Sequence, residues 1–164
     1  MKLVYTVFRK INHLFAEISG YLIAVIVVLL LLDTLGYLVR FQIPMMIELA
    51  VFTTIAAAYL GLSYTEEIRA HVKVDAVLIR LPATFRRWLE FIWGVISLVV
   101  IGLTSYAAYL KAIESIGDGE SIAGEYPLPL APIRTVIAVS LFLYGIQILF
   151  NLIMDLRSRG EEVD

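Results

Sequence analysis

The sequence predicts an all-α integral membrane protein with four transmembrane helices, both termini on the cytoplasmic side, and additional interfacial amphipathic helices. Hydrophobic residues make up 60% of the 164-residue chain, which is above the ~45–50% of soluble domains. Four windows supply the ~20 apolar residues that a helix needs to cross a bilayer. Basic residues are concentrated in alternate connections, which sets the orientation. We expect residues 1–164 to form one membrane domain.

The first span is predicted over residues about 18–39, interrupted only by Asp33. Residues 1–15 place apolar side chains at helical spacing, which is typical of an interfacial amphipathic helix. The polar residues of that segment fall elsewhere around the helix: Lys2, Arg9, Lys10 and Asn12. No small-residue cleavage pattern follows the first apolar run, so we expect a retained helix instead of a signal peptide.

The second span is predicted over residues about 43–64, with Glu48 as its only charge. The third is predicted over residues about 88–110 and the fourth over about 133–154, and their central stretches carry no charge. All four should be helices, because an isolated strand in hydrocarbon leaves backbone groups unpaired. The very short connection between the first two spans predicts an antiparallel helical hairpin.

Positive residues give this arrangement one consistent orientation. Ten of the 13 Lys and Arg residues lie in the N-terminal segment, the second connection and the C-terminal tail. Only three lie in the first turn and in or beside an acidic outer loop, which is predicted over residues about 111–132. The excess of positive charge places both termini in the cytoplasm. Within the second connection, residues about 72–82 predict a further amphipathic segment at the inner surface.

Two carboxylates interrupt the apolar stretches of the predicted spans, Asp33 and Glu48. A charge inside a bilayer costs ~2.5–3.5 kcal/mol on insertion scales, so such residues are functional candidates. Three interpretations remain open: a proton or cation relay, pairing with a partner helix, or extension of the side chain to the water interface. Arg40, in the turn between the spans, is close enough in sequence to serve as a counter-ion for either carboxylate.

Polar and small residues within the spans predict helix contacts instead of ligand sites. Gln147 and Asn151 are four residues apart on one face of the fourth span. Buried amides of this kind join membrane helices, at ~0.6 kcal/mol per hydrogen bond on average. Small residues allow close helix approach. Two pairs have the required spacing: Ala57 with Gly61, and Gly20 with Ala24.

Several functional classes are excluded by composition. The chain has no cysteine, which removes disulfides and thiolate chemistry. His13 and His71 both lie outside the spans, so no haem can be held between facing histidines in the hydrocarbon layer. No catalytic constellation or cofactor-binding motif is present, and no basic face suits nucleic acid. The spans also lack the broken helices and internal repeats of many complete transporters.

The residues resemble the small membrane subunit of tripartite ATP-independent periplasmic (TRAP) transporters, the DctQ-like family. The resemblance begins in the second span, with Glu48 followed by Ala56-Ala57-Ala58-Tyr59. It continues in the string His71-Val72-Lys73-Val74-Asp75, in Leu81-Pro82, and in Arg86-Arg87 before Trp88. A proline-containing outer loop also fits, with Pro127, Pro129 and Pro132.

The resemblance implies a non-catalytic subunit, without cofactors, of a sodium-coupled importer of organic acids in a bacterial or archaeal inner membrane. A larger membrane subunit would carry the sodium and substrate sites, and a periplasmic binding protein would deliver the solute. The subunit-interface candidates are Asp33, Glu48, Ala57, Gly61, Gln147 and Asn151. Candidates for docking the binding protein are Arg40 and Gln42, and the family-motif residues are His71, Lys73 and Asp75.

Two other classes remain as alternatives. The first is a self-sufficient four-helix exporter that acts as a homodimer and uses Glu48 or Asp33 for proton exchange. Proton-coupled efflux by the purified chain would favour it. The second is a membrane anchor for an enzyme complex, which would need cofactor ligands within the spans.

Overall fold

The structure, a computed structural model, contains four long α-helices among the residues that it describes. Helix α1 spans Lys2–Leu38, α2 spans Met46–Glu67, α3 spans Ala83–Asp118 and α4 spans Ala131–Glu161. Each contains a stretch long and apolar enough to cross a membrane. The predicted fold class, an all-α membrane protein with four spans, is confirmed. The residues that the structure describes are 2–41, 44–68, 83–122 and 127–161.

Helix α1 is continuous, whereas the sequence predicted an interfacial helix over residues 1–15 and a separate span from residue 18. No proline interrupts this stretch, so nothing in the backbone forces a break. The early turns also pack on the bundle: Phe8 is buried, and its ring centroid lies 5.5 Å from that of Phe150 in α4. A surface position for residues 1–15 stays a prediction, and the predicted segment 72–82 lies outside the described residues.

The connection between α3 and α4 is shorter than the predicted loop of residues 111–132. Helix α3 continues for two more turns to Asp118, supported by an ion pair of 2.6 Å between Lys111 Nζ and Glu114 Oε2. It ends at Gly119, whose φ of +63° is the left-handed conformation that glycine adopts at little cost. The Ile122 amide then donates to the Leu128 carbonyl at 2.9 Å, which folds the loop back on itself.

The helices pack in the order α1, α2, α4, α3. The extended contacts among the described residues are α1 with α2, α2 with α4, and α4 with α3. Helices α2 and α4 run in the same direction, because their later parts meet at one end of the bundle, where Asn151 Nδ2 donates to the Glu66 carbonyl. The outer members, α1 and α3, have no buried residue in their most apolar windows. Both therefore present long apolar surfaces to whatever surrounds the subunit.

The turn from α1 to α2 is a Schellman motif. The Phe41 amide donates to the Gly36 carbonyl at 2.9 Å, and the Arg40 amide donates to the Tyr37 carbonyl at 3.2 Å. Arg40 has a φ of 57°, at the position where this motif usually places glycine. A Cβ atom on Gly36 would lie only 2.6 Å from the Phe41 carbonyl oxygen. The tight closure of this hairpin therefore requires a glycine at residue 36.

Candidate functional site

Polar side chains from three helices meet at one end of the bundle. They come from the beginning of α1, the end of α2 and the later half of α4. We call this group the inner network, and its members are Arg9, Asn12, Ser63, Glu66, Glu67, Gln147 and Asn151. Along α2, Glu48 and Glu67 are separated by about 28 Å at 1.5 Å per residue, close to the ~30 Å of the hydrocarbon core. The inner network therefore fits one boundary of the hydrocarbon layer.

Asn12 is the centre of the inner network and is 0% exposed. Its Nδ2 donates to Glu67 Oε2 and to Gln147 Oε1, both at 3.0 Å. Its Oδ1 accepts a hydrogen bond of 2.8 Å from the Ser63 hydroxyl. Because an amide has two N–H donors, both are used here. One side chain thus joins α1 to α2 and to α4.

Gln147 and Asn151 extend the inner network along α4. Gln147 Nε2 donates to Asn151 Oδ1 at 3.1 Å, and Asn151 Nδ2 donates to Glu66 Oε1 at 3.0 Å and to the Glu66 carbonyl at 3.1 Å. Both amides are buried. The sequence predicted that these residues join helices, and the structure places them against α1 and α2 of this same chain.

A charged pair, Arg9 with Glu67, lies at the edge of the inner network. Arg9 Nε lies 3.4 Å from Glu67 Oε1, with the arginine side chain 64% exposed and the glutamate side chain 8% exposed. The Glu67 carboxylate is thus held by a cation at the water side and by Asn12 on the buried side. Glu66 and Glu67 both have partners within the chain, so the inner network is a closed set of bonds instead of an open polar path.

Ala57 and Gly61 lie where α1 meets α2. The Ser19 hydroxyl donates to the Ala57 carbonyl at 2.7 Å, and a Cβ atom on Gly61 would lie 3.4 Å from Ser19 Oγ. The other pair of small residues behaves differently. Gly20 and Ala24 are exposed, and a Cβ atom on Gly20 would meet nothing within 4 Å. Of the two pairs with the same spacing, only Ala57 and Gly61 serve a helix contact within this chain.

The opposite end of the bundle holds the two predicted intramembrane acids. Asp33 is half-buried on α1, and Glu48 is exposed in the first turn of α2, where the helix dipole favours a negative charge. Within the described residues neither carboxylate has a hydrogen bond or an ion pair, and the exposed Arg40 does not pair with either. The predicted Gln42, His71, Lys73 and Asp75 lie outside the described residues.

Sequence reasoning missed most of the inner network. It grouped Asn12 with the solvent-facing polar residues of an amphipathic helix, whereas the structure buries Asn12 completely. A signal was present, because Asn12, Ser19 and Asp33 fall on a seven-residue spacing that marks one face of α1. Ser19 and Asn12 both bond to α2, so the spacing identifies the seam between these helices.

Comparison with known families identifies the family of this chain. The sequence matches the family described as "Tripartite ATP-independent periplasmic transporters, DctQ component" over residues 26–158, which is most of the chain. The search of curated proteins returned no match. The family is a transporter component without catalytic activity, so the protein is not an enzyme. The chain therefore belongs to the DctQ family, the small membrane component of TRAP transporters.

Proposed function

We propose that this protein is the non-catalytic small subunit of a sodium-coupled importer of organic acids, and that it braces the large transport subunit in a bacterial or archaeal inner membrane. Both termini would face the cytoplasm, together with His71, Lys73 and Asp75 of the second connection. The observation that carries the proposal is the closed inner network. Its carboxylates bind groups of the same chain, which leaves this subunit to act through its surface.

The surface offers contacts that suit a membrane partner. The apolar windows of α1 and α3 have no buried residue, so their side chains can pack against another subunit. Asp33 and Glu48 add charge at the outer end of α1 and α2. An unpaired charge costs ~2.5–3.5 kcal/mol at the centre of the hydrocarbon layer, and less towards its boundary. A cationic side chain of the large subunit would remove that cost, which supports a subunit contact at this end of the hairpin.

Co-purification tests this function. A tagged chain, expressed together with its proposed large membrane subunit, is expected to retain that subunit in mild detergent. The double variant Asp33→Asn with Glu48→Gln is expected to retain clearly less, because the proposed ion pairs are lost. Glu114→Gln is the matched control, since Glu114 already pairs with Lys111 of its own helix. Equal retention by all three proteins would contradict the proposed contact, and no retention by any would contradict the proposed function.

Arg40 is the proposed contact for the soluble binding protein, together with Gln42. Its left-handed backbone, with φ at 57°, costs a non-glycine residue roughly 1–2 kcal/mol. The variant Arg40→Gly therefore keeps the turn and removes only the cation. We expect it to raise the stability of the chain while weakening binding of the binding protein to the assembled transporter in a pull-down. Unchanged binding would contradict the docking role.

A further inference from the structure

Helices α3 and α4 form a groove of about 670 Å³ on one exposed side of the pair. That volume is within the ~300–1,000 Å³ typical of sites for small molecules. Its side chains are apolar apart from the hydroxyl groups of Ser105, Tyr106 and Tyr109. Gly102 and Gly145 are among the lining residues, and their missing side chains deepen the groove. The helix contacts within the chain leave this space open.

The groove has the length of one lipid leaflet. It runs from Leu98 to Tyr109 on α3 and from Ala138 to Leu149 on α4. Eleven helical residues rise about 16 Å, and one leaflet contributes about 15 Å of the hydrocarbon core. At its inner end the two helices close, because a Cβ atom on Gly94 would lie 3.0 Å from Leu152 Cδ1.

A cation lies at the outer end of the groove. Arg134 is one helical turn before Ala138 on the same face of α4. Its Nη1 binds Glu120 and donates to the Lys111 carbonyl at 3.4 Å. A guanidinium group has five N–H donors, and the contacts with Glu120 and with the Lys111 carbonyl both involve Nη1. The Arg134 side chain is 26% exposed, so we expect its other N–H groups to reach a phosphate oxygen.

We propose that this groove binds one acyl chain of an outer-leaflet phospholipid, with the lipid phosphate at Arg134. Length and charge fit this occupant. The groove is about 16 Å long, and Arg134 lies about 25 Å along α4 from Asn151, near the opposite boundary of the hydrocarbon layer, so a lipid with its phosphate there would extend its acyl chain along the groove past the middle of the bilayer. A helix of another subunit fits less well, because it is about 10 Å wide and crosses both leaflets. The proposal goes beyond the bracing function and does not depend on the large subunit.

Photolabelling of the full chain tests the lipid site. The protein is reconstituted in vesicles of phosphatidylglycerol and phosphatidylethanolamine, with part of the phosphatidylethanolamine carrying a diazirine in its acyl chain. Mass spectrometry then maps the labelled residues. We expect labelling to be concentrated on the lining residues between 98 and 109 and between 138 and 149. A label spread evenly over the exposed faces of α1 and α3 would show ordinary surrounding lipid only, and would overturn the proposal.

A groove-filling variant gives the second arm of the test. A Cβ atom on Gly102 meets nothing within 4 Å, so Gly102→Leu fits without a clash and occupies the space of the acyl chain. Its groove labelling is expected to fall to the level on exposed residues of α1. Gly20→Leu is the control, since Gly20 is equally open but lies on α1. Unchanged labelling in Gly102→Leu, or labelling abolished when the large subunit binds, would overturn the proposal.

Discussion

Replacing Asn12 with leucine is expected to lower the free energy of unfolding by about 2–4 kcal/mol. The substitution removes the donor to Glu67 and Gln147 and the acceptor of the Ser63 hydroxyl. All of these groups lie at the contact of α1, α2 and α4, where water does not easily replace the missing partner. The cost of a buried polar group without a partner is larger than the gain from one hydrogen bond, so the loss should exceed that of an ordinary surface change.

Thermal unfolding in detergent, followed by tryptophan fluorescence, measures this effect. A pair of serines supplies a matched control, because Ser63 and Ser140 are both 2% exposed. The Ser63 hydroxyl donates to Asn12, whereas the Ser140 hydroxyl has no hydrogen-bond partner in the described part of the chain. Ser63→Ala should destabilise the protein and Ser140→Ala should not. Equal effects of the two serine variants would show that the inner network does not hold the helices together.

Replacing Gly36 with alanine is expected to destabilise the α1–α2 hairpin by about 1–3 kcal/mol, the usual cost of forcing extra atoms into a packed site. The new Cβ atom would lie 2.6 Å from the Phe41 carbonyl oxygen. This oxygen belongs to the backbone, and the Phe41 amide is held by Gly36 itself. The clash is therefore relieved only by opening the turn.

Gly20→Ala in the same helix should have the opposite sign. Gly20 has open space around its Cβ position, so alanine adds helix propensity worth roughly 0.5–1 kcal/mol. Urea or thermal unfolding of the two variants in the same detergent compares them directly. If Gly36→Ala and Gly20→Ala both stabilised the protein, the close approach of residue 36 to the Phe41 carbonyl oxygen would be contradicted.

The spans were predictable because their signal is local. Composition and length alone identify a stretch such as α2, and the described part of the chain contains four such helices. Exact ends were harder: α3 continues to Asp118, and these last turns bury Ala112 and Ser115. Hydropathy does not report such packing of small residues.

Helix neighbours and buried polar groups were not predictable in the same way. Gly20 and Gly61 each belong to a pair of small residues four apart. Only at Gly61 would an added Cβ atom meet another helix. Asn12 has polar neighbours in sequence but a buried environment in space. In both cases the outcome depends on which face of α1 meets α2, and that is a property of the assembled helices. A seven-residue spacing of polar residues along α1 was the available clue.

The central claim is that this subunit supports transport by holding another protein, since the buried polar groups of its inner network are bonded to one another. Solute uptake into liposomes under a sodium gradient, with binding protein present, tests it most directly. The chain alone should give no uptake above that of empty vesicles, and uptake should require the chain together with the large subunit. Gradient-driven movement of solute by this chain alone would contradict the claim.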